Sequence, residues 1–258
     1  DDCLAAGDTS WGIVGASLRS PDTRDALGPQ DGLYTLAVRS SDGEALRVIG
    51  SIQSLLVAPE NPTELLDALT DPRVRIVTLT VTEKAYLRAP GGGLDAAHPD
   101  VLHDLANPDA PKTAHGFLVE ALDRRRSAVM QPFTVLCCDN LPANGWTARR
   151  VILDFARLRD ADLAQFIEVA VAFPSSMVDR IVPATTDADR ARVSEKLGVE
   201  DAWPVMTEPF TQWVVEDDFP SGRPDWERFG VEMVLDVTPF EDMKLRLLNG
   251  SHSAIAYL

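Results

Sequence analysis

Short apolar runs that end in polar or turn residues alternate along this chain with stretches of helical spacing. Residues 11–18, 74–81, 133–138 and 167–173 are such runs and read as strands. They are closed by the turn around Asp22, by Thr82 and Glu83, by Asp139 and Asn140, and by Pro174. Helices are expected at 62–70, 116–128, 148–158 and 189–197, where apolar positions recur every three or four residues. Near-continuous apolar strands separated by helices describe a mostly parallel sheet covered on both faces. Residues 34–39 and 46–52, joined across Ser41-Asp42-Gly43, depart from that alternation and read as an inserted β-hairpin. The expected fold is therefore α/β, a Rossmann-like sheet with a hairpin insertion. Pro90-Gly-Gly-Gly93 reads as a mobile surface loop; no helix opens after it, which argues against a phosphate cradle.

In open parallel sheets, ligands bind beyond the carboxyl ends of the strands, so the polar residues at those ends carry the most weight. Asp22 follows the first run, where a dinucleotide fold places a carboxylate on the adenosine ribose. A turn-forming acid after Pro21 is the alternative, and nearby Arg19 would suit a 2′-phosphate instead. Asn140 ends a buried strand, and its carboxamide either donates to an oxyanion or closes an Asx turn. Asp179 and Arg180 either bind substrate hydroxyls or pair with each other.

Residues 244–258 contain an amine, a carboxamide and an imidazole. On a helix, Lys244, His252 and Asn249 fall at roughly 0°, 80° and 140° around the axis. Such a face suits taking a proton from an alcohol and holding the oxygen left behind; a solvated amphipathic helix is the plainer reading.

Charge narrows the partners. The 258 residues carry a formal net charge of −16, which opposes broad contact with a phosphate backbone, so no nucleic acid is expected. The basic run Arg124-Arg125-Arg126 reads as a solvated helix face. No apolar run approaches the ~20 residues needed to span a bilayer, so no membrane partner is expected. The three cysteines lack metal-site spacing, and His98, His103 and His115 read as surface residues, so no metal is expected. With no leader pattern visible, the cytoplasm is the expected compartment.

Five segments together resemble one family: Thr80-Val-Thr-Glu-Lys84, Cys138-Asp-Asn140, Phe173-Pro-Ser-Ser-Met-Val-Asp-Arg-Ile-Val-Pro183, Glu208-Pro-Phe-Thr-Gln-Trp-Val-Val-Glu216 and Lys244-Leu-Arg-Leu-Leu-Asn-Gly-Ser-His252. In this order they resemble the long-chain polyol (mannitol) dehydrogenases, a family that includes mannitol dehydrogenase and fructuronate reductase. The resemblance implies metal-independent hydride transfer between a small sugar alcohol, or its ketose, and NAD or NADP, with NAD ahead. D-mannitol and D-fructose are the first expected pair, D-mannonate and D-fructuronate the second. A non-catalytic nucleotide- or sugar-binding module is the rival from another class.

By position, the resemblance makes Lys244 the general acid/base, Asn140 and Asn249 an oxyanion-stabilising pair, and His252 a substrate-orienting residue. Asp179 would line the substrate cleft, and Thr82, Glu83 and Asp22 would lie on the cofactor side. Glu241, three residues before Lys244, would relay the proton to water or serve as an ordinary helix-start carboxylate.

Two features depart from the family. Its opening Gly-x-Gly-x-x-Phe-His-Arg-Ala-His style turn does not precede Trp11, and residues 237–258 read as only the first helix of an all-α substrate domain that follows a cofactor-binding domain at 1–236. The chain is therefore expected to be an internal fragment of a longer enzyme, inactive when isolated.

Overall fold

A computed structural model of the chain describes residues 1–246. The elements begin with α1 (Asp2–Ala5), β1 (Ile13–Ser17), α2 (Asp22–Leu27), β2 (Tyr34–Ser40), β3 (Gly43–Ile49), β4 (Ile52–Val57), α3 (Pro62–Thr70), β5 (Ile76–Leu79) and α4 (Pro99–Ala106). They continue with α5 (Ala114–Ser127), β6 (Thr134–Cys137), α6 (Asn144–Arg159), α7 (Ala161–Ala170) and β7 (Ser176–Asp179). The last are α8 (Asp187–Leu197), β8 (Val205–Thr207), β9 (Gln212–Glu216), β10 (Glu232–Val234) and α9 (Thr238–Lys244). The chain divides into two compact units, Asp1–Asp67 with Asp179–Thr211, and Ala68–Val178 with the residues from Gln212 onward.

In the first unit β1 pairs in parallel with β4, and β2 pairs antiparallel with β3 and parallel with β8. The hairpin is thus present, with Ser40 opposite Gly43. Its second strand stops at Ile49, and Ile52, read as the end of the hairpin, opens β4, a strand the hydrophobic pattern did not mark. Ala37, Val193 and Met206 form a small core here, packed between the hairpin and α8. The α8 helix starts in a reciprocal Thr186–Asp189 capping box and stops at Gly198, whose φ of 73° suits glycine.

The second unit is built on parallel pairs β5–β6 and β9–β10, with β7 beside β9. The β6 strand is buried along its whole length. The α6 helix packs on it and α5 packs on α6, with Phe117, Leu118, Leu122, Val151, Ile152 and Phe155 all buried. Buried Asp104 on α4 accepts from the Lys112 and Thr113 amides and the Thr113 hydroxyl, fixing the residue that caps α5.

Three readings are corrected in this unit. Residues 167–170 belong to α7, because Asp160 caps the helix through the Leu163 amide at 2.7 Å and Leu163, Ala164 and Ile167 bury one face. The extended backbone comes later, where Ala172 accepts from the Val135 amide, and the strand itself is 176–179. Arg125 is not solvated but 2% exposed. Its guanidinium donates to four carbonyls, those of Leu69, Asp71, Val74 and Gln131, at 2.5–2.8 Å. His115 is likewise buried, and the loss of water around its ring drops its pKa to about 4.

The 90–93 turn is held rather than loose. Ala89 donates to the Gly93 carbonyl at 2.8 Å, and Arg150 on α6 reaches the Gly91 carbonyl at 3.0 Å.

Candidate active site

The geometry around Asn140 and Lys244 lies in the second unit. Beyond β5 the chain passes through Val81 and Thr82 into a single 3-10 turn, Glu83–Tyr86. Thr82 has φ 71° and ψ 157°, a region that is nearly glycine-only. The Asp139 carboxylate, just past β6, meets this strap: it accepts from the Thr82 amide at 2.8 Å, the Val81 amide at 3.2 Å and the Tyr86 hydroxyl at 2.7 Å. Burial raises the Tyr86 pKa above its ordinary value, so the phenol stays a donor. The same hydroxyl lies 2.8 Å from the Cys137 sulfur, whose thiol burial pushes up to about 11. The structure thus sets Thr82 at the turn itself. Glu83 points outward to an ion pair with Arg88 at 2.7 Å.

Asn140 follows Asp139. Its Oδ1 accepts from Lys244 Nζ at 3.3 Å, and the same amine donates to the Val178 carbonyl on β7 at 2.6 Å. Two groups 104 residues apart in sequence therefore meet at the carboxyl ends of β6 and β7. Glu241 lies one helical turn before Lys244. Its Oε2 accepts from the Ala143 amide at 3.1 Å, while Oε1 is buried without a protein partner among the described residues. Desolvation raises its pKa, the Ala143 amide opposes that rise, and Glu216, Asp242 and Asp236 add to it.

What places α9 here is a set of residues that sequence reasoning missed. Glu216 accepts from the Ser175 amide at 2.8 Å and the Val237 amide at 3.3 Å, tying the entry of β7 to the start of α9. Beside it, Val237 packs with Met177 and Val214, and Phe240 and Val234 rest against them. Buried Asn144 donates to the Asp139 and Ser176 carbonyls at 2.9 and 2.8 Å and accepts from the Ser176 amide at 2.9 Å. Next to it, an added Cβ on Gly145 would lie 2.4 Å from the Phe173 oxygen, so the helix touches this backbone directly. The available signals were an asparagine four residues after Asn140 and a glycine beside it at a helix start, each too common to single out.

Asp22, in the first unit, opens α2 at the end of the short turn that follows β1, and its Oδ2 accepts from the Ser20 hydroxyl at 2.9 Å. Asp179 ends β7, half-buried, one residue after the carbonyl that Lys244 meets. Asn249 and His252 lie outside the described residues. Among the described residues, no group of three or more His, Cys, Asp or Glu is arranged to hold a metal ion. No helix among them is long and apolar enough to cross a membrane.

Known proteins resemble this chain in sequence and in backbone. Residues 3–228 match the sequence profile of the mannitol dehydrogenase Rossmann domain. A mannitol 2-dehydrogenase from Aspergillus fumigatus is 47% identical over 259 residues, taking in 97% of this chain and 52% of its own. A D-mannonate oxidoreductase from Escherichia coli is 46% identical over 260 residues, 99% of this chain and 54% of its own. The Pseudomonas fluorescens mannitol 2-dehydrogenase, solved as a ternary complex with NAD and D-mannitol, aligns with a TM-score of 0.93 at 47% identity, covering 100% of this chain and 53% of that one. The chain spans about half the length of the relatives it matches. With the sequence likeness running nearly end to end and the backbone following the same path, this chain belongs to the mannitol dehydrogenase family.

Proposed function

We propose that the protein transfers a hydride between a polyol and NAD(P), with D-mannitol and D-fructose as the leading pair. The observation that carries this reading is the Lys244 amine hydrogen-bonded to the Asn140 carboxamide at the carboxyl ends of buried strands. In the oxidation direction the Lys244 amine takes the hydroxyl proton, and the carbon–hydrogen bond breaks as the carbon–oxygen double bond forms. With its oxygen turned to Lys244, Asn140 has its NH2 group left to donate to the alkoxide-like oxygen. Asn249 would supply the second donor and His252 would orient the substrate. Glu241 then relays the proton from Lys244 toward water, a task suited to a carboxyl whose pKa burial has raised.

A nicotinamide cofactor, when bound, supplies the hydride acceptor. Each unit by itself offers a residue of the type such a cofactor needs: in the second, Thr82 stands at the end of a parallel strand, where such ligands lie, and in the first, Asp22 follows β1, where a carboxylate suits ribose hydroxyls and opposes a 2′-phosphate. That favours NAD over NADP. The amine and amides act without a metal. Residues 1–236 would form the cofactor domain and α9 would open a second, helical one, while three free cysteines suit the cytoplasm.

The 46% identity to a D-mannonate oxidoreductase supports D-mannonate and D-fructuronate as a second pair. Initial rates of the complete gene product on mannitol, arabinitol, sorbitol and mannonate, with each cofactor, test both. Oxidation of mannitol with NAD is expected. NADH binding without turnover of any of the four would refute the enzyme and leave a binding module.

A further inference from the structure

Asp139 is gripped from two sides. Its carboxylate accepts from Val81, Thr82 and Tyr86, which lie 53 to 58 residues earlier, and its own carbonyl accepts from buried Asn144. Thr82 lies in a backbone region that non-glycine residues keep only when their surroundings impose it, and the Asp139 carboxylate holds its amide. Tyr86 is 2% exposed and its hydroxyl reaches both Asp139 and the last residue of β6, so the strap is fastened to that strand at its end. Asn140 is the next residue along.

We infer that Tyr86 and Asp139 are positioning residues that serve two tasks at once, holding the strap at 81–83 in shape for the cofactor and aiming Asn140 at the reacting oxygen. The inference rests on the polyol dehydrogenase reading of the site. Neither side chain touches the reacting atoms; both act through Thr82 and Asn140. One clamp for both tasks means that loosening it weakens cofactor binding and slows the chemical step together.

The test is Tyr86→Phe in the complete gene product, which keeps the packed ring and removes only the hydroxyl, with Asp139→Asn as a second variant. NADH affinity is read by fluorescence titration, kcat at saturating mannitol and NAD, and folding by thermal melting. For Tyr86→Phe, Kd for NADH should rise and kcat fall, each by about 3- to 10-fold, the range for one lost hydrogen bond. Asp139→Asn should move both further in the same directions. Either quantity staying within about twofold of wild type in Tyr86→Phe overturns the inference, whatever happens to the melting temperature, because the network is then scaffold or serves one task only. If the wild-type protein oxidises no polyol, the polyol reading fails separately. The clamp is then judged on NADH affinity and on amide exchange at Val81 and Thr82, and it fails if Tyr86→Phe leaves these unchanged.

Discussion

The ends of β1 and β6 face the same task, presenting a polar side chain beyond a parallel strand, and they are built differently. Past β1 the side-chain hydrogen bonds of the turn itself stay local, Ser17 donating to the Ser20 carbonyl and Ser20 to Asp22, two residues on. The longer reach is left to the Ser17 carbonyl, which accepts from Ala58, and to Arg24, which meets Glu60. Past β6 the side-chain hydrogen bonds are long-range, joining Asp139 to residues 81–86 and Asn140 to Lys244. A local turn can be changed at small cost to the rest of its unit. A junction of three distant segments couples every substitution to the others.

Substitutions that probe the β6 end should therefore cut deepest. Lys244→Ala in the complete gene product should lower kcat by about 10³- to 10⁴-fold, as expected for a lost general base, with NADH affinity retained in a fluorescence titration. Unchanged turnover would remove the amine from the chemistry. Asn140→Ala should cost about 10²- to 10³-fold in kcat, the usual effect of losing an oxyanion donor, read in the same steady-state assay.

Acid offers a third way to separate the two strand ends. His115 lines a small cavity with Leu79, Val81 and Tyr86, and its ring is kept neutral by burial, with a pKa of about 4 against an ordinary 6.5. Its contribution to stability is whole above pH 6.5 and is lost as pH falls through about 4. Urea unfolding should show roughly 2–4 kcal/mol of this loss, absent in His115→Leu. Hydrogen exchange on lowering pH should quicken at Val81 before Ser17, and the reverse order would break the contrast.

The smallest effect belongs to the β1 end. Asp22→Ser should shift the ratio of kcat/KM for NAD over NADP toward NADP by about tenfold, the worth of one charge-assisted hydrogen bond, with kcat on the preferred cofactor nearly unchanged. A loss of kcat as deep as that of Asn140→Ala would show that the two ends are equally coupled.

The same division explains what was legible in the sequence. The α3 helix was readable to its ends, since one helical pattern spans 62–70, and the hairpin announced itself by Ser41-Asp42-Gly43. The α7 helix was misread because residues 167–173 are apolar but for Glu168, a short run for which strand and buried helix look alike; the Asp160 cap was the neglected cue. Arg125 was misread for another reason. Its neighbours in sequence, Arg124 and Arg126, are half-buried and paired with carboxylates on or near their own helix, while three of its partners lie 51 to 56 residues away. Lys244 and Asn140 were linked in advance only by family resemblance, because no local pattern encodes a contact across 104 residues. Glu216 and Asn144 offered no cue strong enough to single them out, since their work is to brace backbone from other segments.

Gly145 sets a limit on how this scaffold can be re-engineered. Because α6 rests there on bare main chain, even a methyl group would lever the helix start away from residues 173–174. The amide of Ala143, two residues upstream, would travel with it and release the Glu241 carboxyl. A designer seeking new substrates can vary the exposed rim freely, but this hidden fulcrum fixes where the Glu241 carboxyl sits, and with it the proton exit proposed above.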